Sequence, residues 1–441
     1  MTAWFAELAL LPDGLASDVR FETVEGRFTS VASNATADGA RRLPGIALPG
    51  FANCHSHAFH RALRGRTHAG GGTFWTWRER MYALAAGLDP DRYLALARAT
   101  YAEMALAGVT AVGEFHYLHH AAGGRRYADP NAMAEALRQA AADAGVRLTL
   151  LDTIYLAGGL DGTGHLPLDR VQQRFADADA QLWAARVADL AESPGMRVGA
   201  AIHSVRAVPR AALPTVRDAA ASRPLHVHLS EQPGENDACE AFYGATPTAV
   251  LGDQGVLGPT TTAVHATHLR DEDIARLGGS ATTACLCPST ERDLADGIGP
   301  ARALADAGAP LSLGTDQHAV LDLFEEVRAL EMHERLTSQR RGAFSPDELR
   351  SALTRHDSIG WPDAGRLEAG ARADLVAVRL DTVRTAGCDP AQVIYAAGAP
   401  DVDTVLVDGR VVVEGGQHVL GDVGALLRAA IAQAWSTGEE G

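Results

Sequence analysis

The 441-residue sequence contains no lysine: all 39 of its Lys+Arg side chains are arginine. A Schiff-base lysine, a Walker-A lysine and a carbamylated lysine bridging two metals are therefore excluded. Cysteine is scarce as well. Its five copies (Cys54, Cys239, Cys285, Cys287, Cys388) are odd in number and scattered. That excludes a disulfide-built scaffold and fits reduced thiols, so a cytoplasmic location is expected. No uninterrupted apolar run is long enough to span a bilayer, and the opening "MTAWFAELALLPDG" lacks the basic and apolar regions of a signal peptide. Repeats, low-complexity stretches and heptads are missing too, which removes a scaffold role. Acid outweighs base, with a formal net charge of −16. This argues against nucleic-acid and anionic-membrane partners but leaves room for an acidic ligand in a locally basic pocket.

What is present is a core-forming chain, 46% hydrophobic and 21% charged. Eight short apolar stretches recur along it: "GIALPGFANC" (45–54), "GVTAVGEF" (108–115), "VRLTLLDTIY" (146–155), "MRVGAAIHS" (196–204), "PLHVHLSEQ" (224–232), "TTAVHATHL" (261–269), "ATTACLCPST" (281–290) and "PLSLGTDQH" (310–318). Most are near-continuous, as parallel strands buried on both faces must be. Helical patterns such as "PDRYLALARATYAEMALAG" (90–108) separate most of them, with a short link between the sixth and seventh. The pattern predicts an α/β fold, a (β/α)8 TIM barrel over residues 50–363. The flanks, 1–49 and 364–441, read as β structure. Within them "DVDTVLVDGRVVVEGG" (401–416) predicts a hairpin turning at Asp408-Gly409. The two ends are expected to combine into a small β-sandwich domain beside the barrel.

Polar residues gather at the C-terminal ends of these stretches: His55 and His57, Glu114 and His116, His203, His228 and Glu231, His265 and His268, and Asp316. In a barrel that end is the active-site face. A polar plug inside the barrel explains one or two such residues and not the set. Alternate side chains of a strand share a face, so His55 and His57 point together. Alone, such a pair is more often structural or superficial. With His228 and Asp316 at matching strand ends, the four form a candidate site for one divalent cation per chain: Zn2+, or alternatively Fe2+ or another divalent ion. Glu231, three residues beyond His228, is placed for acid–base work. His265 and His268 are three apart and face opposite sides; His265, nearer the buried part of its strand, is expected in the site and His268 at its rim. His226 shares the face of His228 but lies deeper, which reads as core packing with a satisfied hydrogen bond.

The motifs "PGFANCHSHAFHR", "HVHLSEQ", "VHATHL" and "LGTDQH", in this order, resemble the amidohydrolase superfamily, and within it the single-zinc deaminase branch. With "EAGARADLVAV" near the C-terminus the resemblance covers nearly the whole chain. It implies metal ligands at His55, His57, His228 and Asp316, and a catalytic group of Glu231, His265 and Asp316. The absence of lysine independently supports a one-metal form. Further segments resemble the formimidoylglutamate deiminases of histidine degradation: "HSHAFHRALRG", "TFWTWRERMY" (73–82), "GEFHYLHH" (113–120), "HSVRAV" (203–208) and "CPSTERDLADGIG" (287–299). This resemblance implies hydrolysis of N-formimidoyl-L-glutamate to N-formyl-L-glutamate and ammonia, a homodimer, and a dicarboxylate substrate held by Arg78, Tyr117, His203 and Arg206. Guanidinium forks suit such a dianion. His60 and Gln317 stand where that family commonly has Gln and Ser; His60 retains donors for a carboxylate or the formimino nitrogen and joins the substrate-binding set. The alternative reading is a zinc-dependent deaminase of a purine, pyrimidine or related heterocycle stacked on Trp75 and Trp77, with no dependence on Arg78 or Arg206. A catalytically dead binding protein of this family predicts loss of a ligand or of Glu231, and the sequence shows neither.

Overall fold

A computed structural model of the chain describes residues 2–68 and 74–436, the side chains of Phe74 and Trp75 excepted. Eight parallel strands form one sheet in chain order: Phe51–Ser56, Val109–His116, Arg147–Ile154, Met196–Ile202, Leu225–Leu229, Thr261–His265, Thr283–Leu286 and Leu311–Leu313. Every residue of the first three is buried, because helices cover the outer face and side chains fill the interior. The sheet closes between its first and eighth strands. There the amides of Thr315 and Asp316 both donate to the His55 carbonyl, at 3.1 and 3.0 Å, and the His57 amide donates to the Asp316 carbonyl at 3.1 Å. All eight predicted strands are present.

The first of them needs correction. Residues 45–54 read as a single strand, but the structure divides the stretch at Gly50. Arg41–Pro49 pairs with strands of a second sheet, and Phe51–Ser56 opens the barrel. A Cβ at Gly50 would lie 2.5 Å from the Thr110 side chain and 3.0 Å from Asp374 Cβ, so only glycine lets the chain pass between the sheets.

The helices between the strands carry ordinary sequence signals. Pro90–Leu106 starts at an Asp89 cap that accepts from the Arg92 amide, with proline at the first helical position. Its Leu96, Ala97, Thr100, Tyr101 and Met104 turn inward. The short link between the sixth and seventh strands holds the nine-residue helix Asp271–Gly279.

The second sheet draws Thr2–Leu11, Gly14–Val24, Arg27–Ala32 and Arg41–Pro49 from the start of the chain, and Leu375–Val378, Val402–Val407, Arg410–Glu414 and Gln417–His418 from its end. The expected small β domain of both chain ends is present: its eight strands are hydrogen-bonded in one order around a core of their own, with Trp4, Val19, Phe21, Phe28 and Leu43 from the start of the chain and Leu406 from its end. The hairpin turns at Asp408 and Gly409, whose φ values of 48° and 71° give the doubly left-handed turn that matches strand twist. A buried ion pair joins the two sheets. Arg147 of the third barrel strand donates to Asp374 Oδ1 at 2.8 Å and to Asp408 Oδ1 at 3.1 Å, with a further contact to Asp374 Oδ2. All five cysteines are free thiols. Among the described residues, no helix is long and apolar enough to cross a membrane.

Candidate active site

Closure of the barrel decides what meets at its C-terminal mouth. His55 and His57 leave the first strand beside Asp316 of the eighth. His55 Nε2 lies 3.2 Å and His57 Nε2 3.3 Å from Asp316 Oδ1. His228, at the end of the fifth strand, brings its Nε2 to 3.2 Å from His55 Nε2. Gly314 makes the approach possible: a Cβ there would sit 2.6 Å from His55 Cβ and 3.0 Å from Cys287 Sγ.

His57 Nδ1 donates to the Phe115 carbonyl at 2.9 Å, so that nitrogen carries the ring proton. In a neutral ring its Nε2 is then a bare lone pair facing a carboxylate oxygen, an arrangement that is repulsive without a positive charge between them. Burial keeps the rings neutral: it pushes His55 down to about 3 and lowers His57 and His228 as well. Neutral imidazole nitrogens with one carboxylate oxygen are the donors a borderline divalent cation takes. Nitrogen or oxygen atoms of His55, His57 and Asp316, and those of His55, His228 and His265, lie within 4.8 Å of one another.

Glu231 follows the fifth strand after a left-handed turn at Ser230, with φ 50°. Its Oε1 lies 3.8 Å from His265 Nε2, and its Oε2 lies 3.8 Å from Arg206 Nη2. Burial raises the Glu231 pKa against the opposing charges of His265 and Arg206. His265 itself has φ 68° at the end of the sixth strand, and its Nδ1 lies 3.7 Å from Glu291 Oε1. Burial alone would lower its pKa, but the Glu231 and Glu291 carboxylates outweigh burial and push it up to about 10. A divalent cation among the neighbouring histidines acts in the opposite sense.

Above this group opens a cavity of about 450 Å³. His60, Arg78, Tyr117, His203 and Arg206 all line it, together with His57, His228, Glu231, His265 and Asp316. His60 Nε2 and the Tyr117 hydroxyl are 2.9 Å apart, and the Arg78 guanidinium lies over the Tyr82 ring, 5.4 Å from its centroid. Trp77 is also in the wall; the Trp75 side chain lies outside the described residues. Gln317 is absent from the lining, because its amide donates to Asp293 Oδ2 at 2.8 Å. Glu114 and His116 sit at a strand end yet do not line the cavity either. Phe115 between them stacks on His228, ring centroids 4.1 Å apart, and alternation turns its two neighbours outward. His268 Nε2 donates to the Asp296 carbonyl at 2.8 Å, and His226 Nε2 to the Ser358 carbonyl at 3.1 Å.

Three features escaped the sequence reading. Glu235, four residues after Glu231 in the helix Pro233–Tyr243, is fully buried with Oε2 3.6 Å from Arg206 Nε; burial pushes its pKa up to about 7 against the charge of Arg206. Glu291, in the segment "CPSTERDLADGIG", faces His265. A small hairpin, Gly159–Asp161 with Gly164–Leu166, walls one side of the cavity. His165 ties it down by donating to the Arg206 carbonyl at 3.1 Å. The glycine-rich "LAGGLDGTGHL" was the available signal for that turn.

Comparison with known proteins follows the same lines. The profile described as Amidohydrolase family matches residues 46–412, and that described as Formimidoylglutamate deiminase HutF, N-terminal domain, matches residues 1–45. A formimidoylglutamate deiminase of Pseudomonas aeruginosa is 38% identical over 439 residues, 95% of this chain and 96% of the relative. An 8-oxoguanine deaminase of the same organism is 30% identical over 394 residues, 87% and 85% of the two chains. The crystal structure of an amidohydrolase from Brucella melitensis superposes with a TM-score of 0.91 at 32% identity, covering 98% of this chain and all of that one.

Proposed function

Because the chain belongs to the amidohydrolase family and opens with a formimidoylglutamate deiminase N-terminal domain, we propose that it hydrolyses N-formimidoyl-L-glutamate to N-formyl-L-glutamate and ammonia, a step of histidine degradation. It is a hydrolase acting on a C–N bond. The amidine carbon gains the oxygen of one water, its bond to the terminal nitrogen breaks, and that nitrogen leaves as ammonia. The observation that carries this reading is the placement of a proton carrier, Glu231, and an anion-binding fork, Arg206, side by side over the histidine–aspartate group.

His55, His57, His228 and Asp316 are the residues that would hold one divalent cation; Zn2+ suits them, and Fe2+ or another divalent ion fits the same donors. The chemistry such an ion supplies when bound is Lewis-acid activation of water. Glu231, its pKa raised by burial, takes a proton from the water and delivers it to the leaving nitrogen. Asp316 orients the water, and His265 stabilises the charge that develops on the attacking oxygen. Arg78 and Arg206 grip the substrate carboxylates, with Tyr117, His203 and His60 as further donors.

We assign residues 1–49 with 364–441 to the small domain and 50–363 to the catalytic barrel, supported by the passage of the chain between sheets at Gly50. A homodimer in the cytoplasm is the assembly and place that the family resemblance and the free thiols favour. The acidic net charge argues against nucleic acid and anionic membranes as partners.

A second reading, deamination of a heterocycle, rests on the 30% identity to an 8-oxoguanine deaminase and on Trp77 in the cavity wall. Ammonia release from N-formimidoyl-L-glutamate, N-formimidoyl-L-aspartate and 8-oxoguanine, measured on zinc-loaded protein, separates the two. Fast turnover of the glutamate compound alone is the expected result. Turnover of 8-oxoguanine alone would transfer the assignment to a heterocycle deaminase.

A further inference from the structure

Glu114 lies outside the cavity, fully buried, in a position where a neutral side chain would avoid the desolvation of a carboxylate. Burial pushes its pKa up to about 8 against the hydrogen bonds that Ala58 and Ser56 give it. Its two oxygens are nevertheless both engaged. Oε2 accepts from the Ser56 hydroxyl at 2.7 Å, and Oε1 accepts from the Ala58 amide at 2.7 Å. Ser56 and Ala58 are the residues immediately before and after His57. The next residue along the strand, Phe115, accepts the Nδ1 proton of His57 itself. Two consecutive residues of the second strand thus grip the backbone on either side of His57 and its ring.

The contacts continue to the eighth strand. When Glu114 is ionised, the one proton of the Ser56 hydroxyl points to it, and His318 Nε2–H then donates to Ser56 Oγ at 3.2 Å. The bare Nδ1 of His318 then accepts from the Thr315 hydroxyl at 2.8 Å, and Thr315 Oγ1 accepts from Asn53 Nδ2 at 2.7 Å. The chain of donors then runs in one direction, from Asn53 through Thr315, His318 and Ser56 to Glu114. Thr315 and His318 flank the segment that carries Asp316.

We propose that Glu114 is a positioning residue that fixes His57 for metal binding and, through Ser56 and His318, locks it in register with Asp316. The proposal rests on the reading of His55, His57, His228 and Asp316 as a metal site. Ligands supplied by two separate loops lose ordering entropy when an ion binds; loops already joined lose less. Glu114 touches neither the ion's donors nor the substrate cavity, so its influence runs through the geometry of its neighbours.

The test uses full-length, metal-stripped protein titrated with Zn2+ in competition with a chromophoric chelator, on the wild type, Glu114→Gln and Ser56→Ala. Glutamine cannot accept with both ends, and alanine at 56 removes one oxygen without disturbing the backbone. Zinc affinity is expected to fall about 10–100-fold in each variant. The thermal midpoint of metal-free Ser56→Ala should fall, because Glu114 Oε2 and His318 Nε2 lose a buried partner, so zinc affinity is compared at a temperature where both proteins are folded. Lost activity should return at excess zinc with an unchanged KM, a rescue that a merely structural lesion would not show. Unchanged zinc affinity in Ser56→Ala, or in a folded Glu114→Gln, while the wild type binds zinc, would overturn the role of Glu114 and spare the metal site. A wild-type protein that binds no divalent ion would overturn both.

Discussion

The guanidinium of Arg206 hangs between two carboxylates, its Nη2 3.8 Å from Glu231 Oε2 and its Nε 3.6 Å from Glu235 Oε2, within hydrogen-bonding distance of neither. The charge of the arginine is balanced while its donors stay available for a ligand. That is the arrangement a pocket needs if a substrate carboxylate is to dock without first breaking an internal hydrogen bond.

Arg206→Ala is therefore expected to raise KM for N-formimidoyl-L-glutamate by about 10–100-fold, the equivalent of about 1.5–3 kcal/mol for a lost charged hydrogen-bond set. Arg206→Lys should recover little of it, since a point charge lacks the planar fork. Steady-state kinetics at fixed zinc check both. A KM that stays at the wild-type value in the alanine variant would place the substrate carboxylates elsewhere.

Glu231→Gln removes the proposed proton carrier and keeps the shape. A fall in kcat of about 10²–10⁴-fold is expected, with zinc content unaltered because Glu231 stands apart from the proposed ligands. Metal analysis beside the rate measurement separates this from loss of the ion.

Gly314 has no room for a methyl group, which would meet His55 Cβ at 2.6 Å. Gly314→Ala should cost about 1–3 kcal/mol of stability through the displacement of packed neighbours. Because the displaced neighbour is His55, zinc binding should weaken too. Denaturant unfolding and zinc titration read the two effects on the same preparation.

The Arg147–Asp374 pair gives the joint between the two sheets a pH dependence. Burial alone would raise the Asp374 pKa, but the Arg147 guanidinium outweighs burial and holds it below the usual carboxylate range. The folded value is then lower than the unfolded one. The stabilisation is complete above about pH 4 and is lost as pH falls through the folded value. Asp374→Ala leaves the buried guanidinium with Asp408 as its acidic partner and should cost up to about 3–5 kcal/mol near neutrality. That deficit should shrink as the pH drops below about 4. Thermal unfolding across pH 2.5–8 (about the range that brackets an ordinary carboxylate) shows whether the two curves converge.

The barrel was legible because strands buried on both faces must be apolar almost throughout, and eight such stretches stand apart in the sequence. The boundary at Gly50 was not. The segments on either side, 46–49 and 51–52, are both extended and apolar, and they differ in which sheet they pair with, a property of distant partners. In the site, the period of two made His55 and His57 visible as a pair, and matching strand ends brought in His228 and Asp316. Glu235 and Glu291 were hidden for a different reason. Each faces a residue of another strand, Arg206 or His265, and only closure of the barrel creates those distances. Glu114 was visible as polar at a strand end, but its direction depends on Phe115 turning inward onto His228. Gln317, an apparent departure from a family pattern, is accounted for by its bond to Asp293 outside the cavity.

The most direct test of the account is to run the reaction of N-formimidoyl-L-glutamate in water labelled with heavy oxygen and to weigh the products. The expected result is N-formyl-L-glutamate carrying one heavy oxygen in its formyl group, with one ammonia released for each molecule formed. Release of glutamate and formamide would mean that the other C–N bond of the amidine is cleaved, and it would contradict the deiminase account.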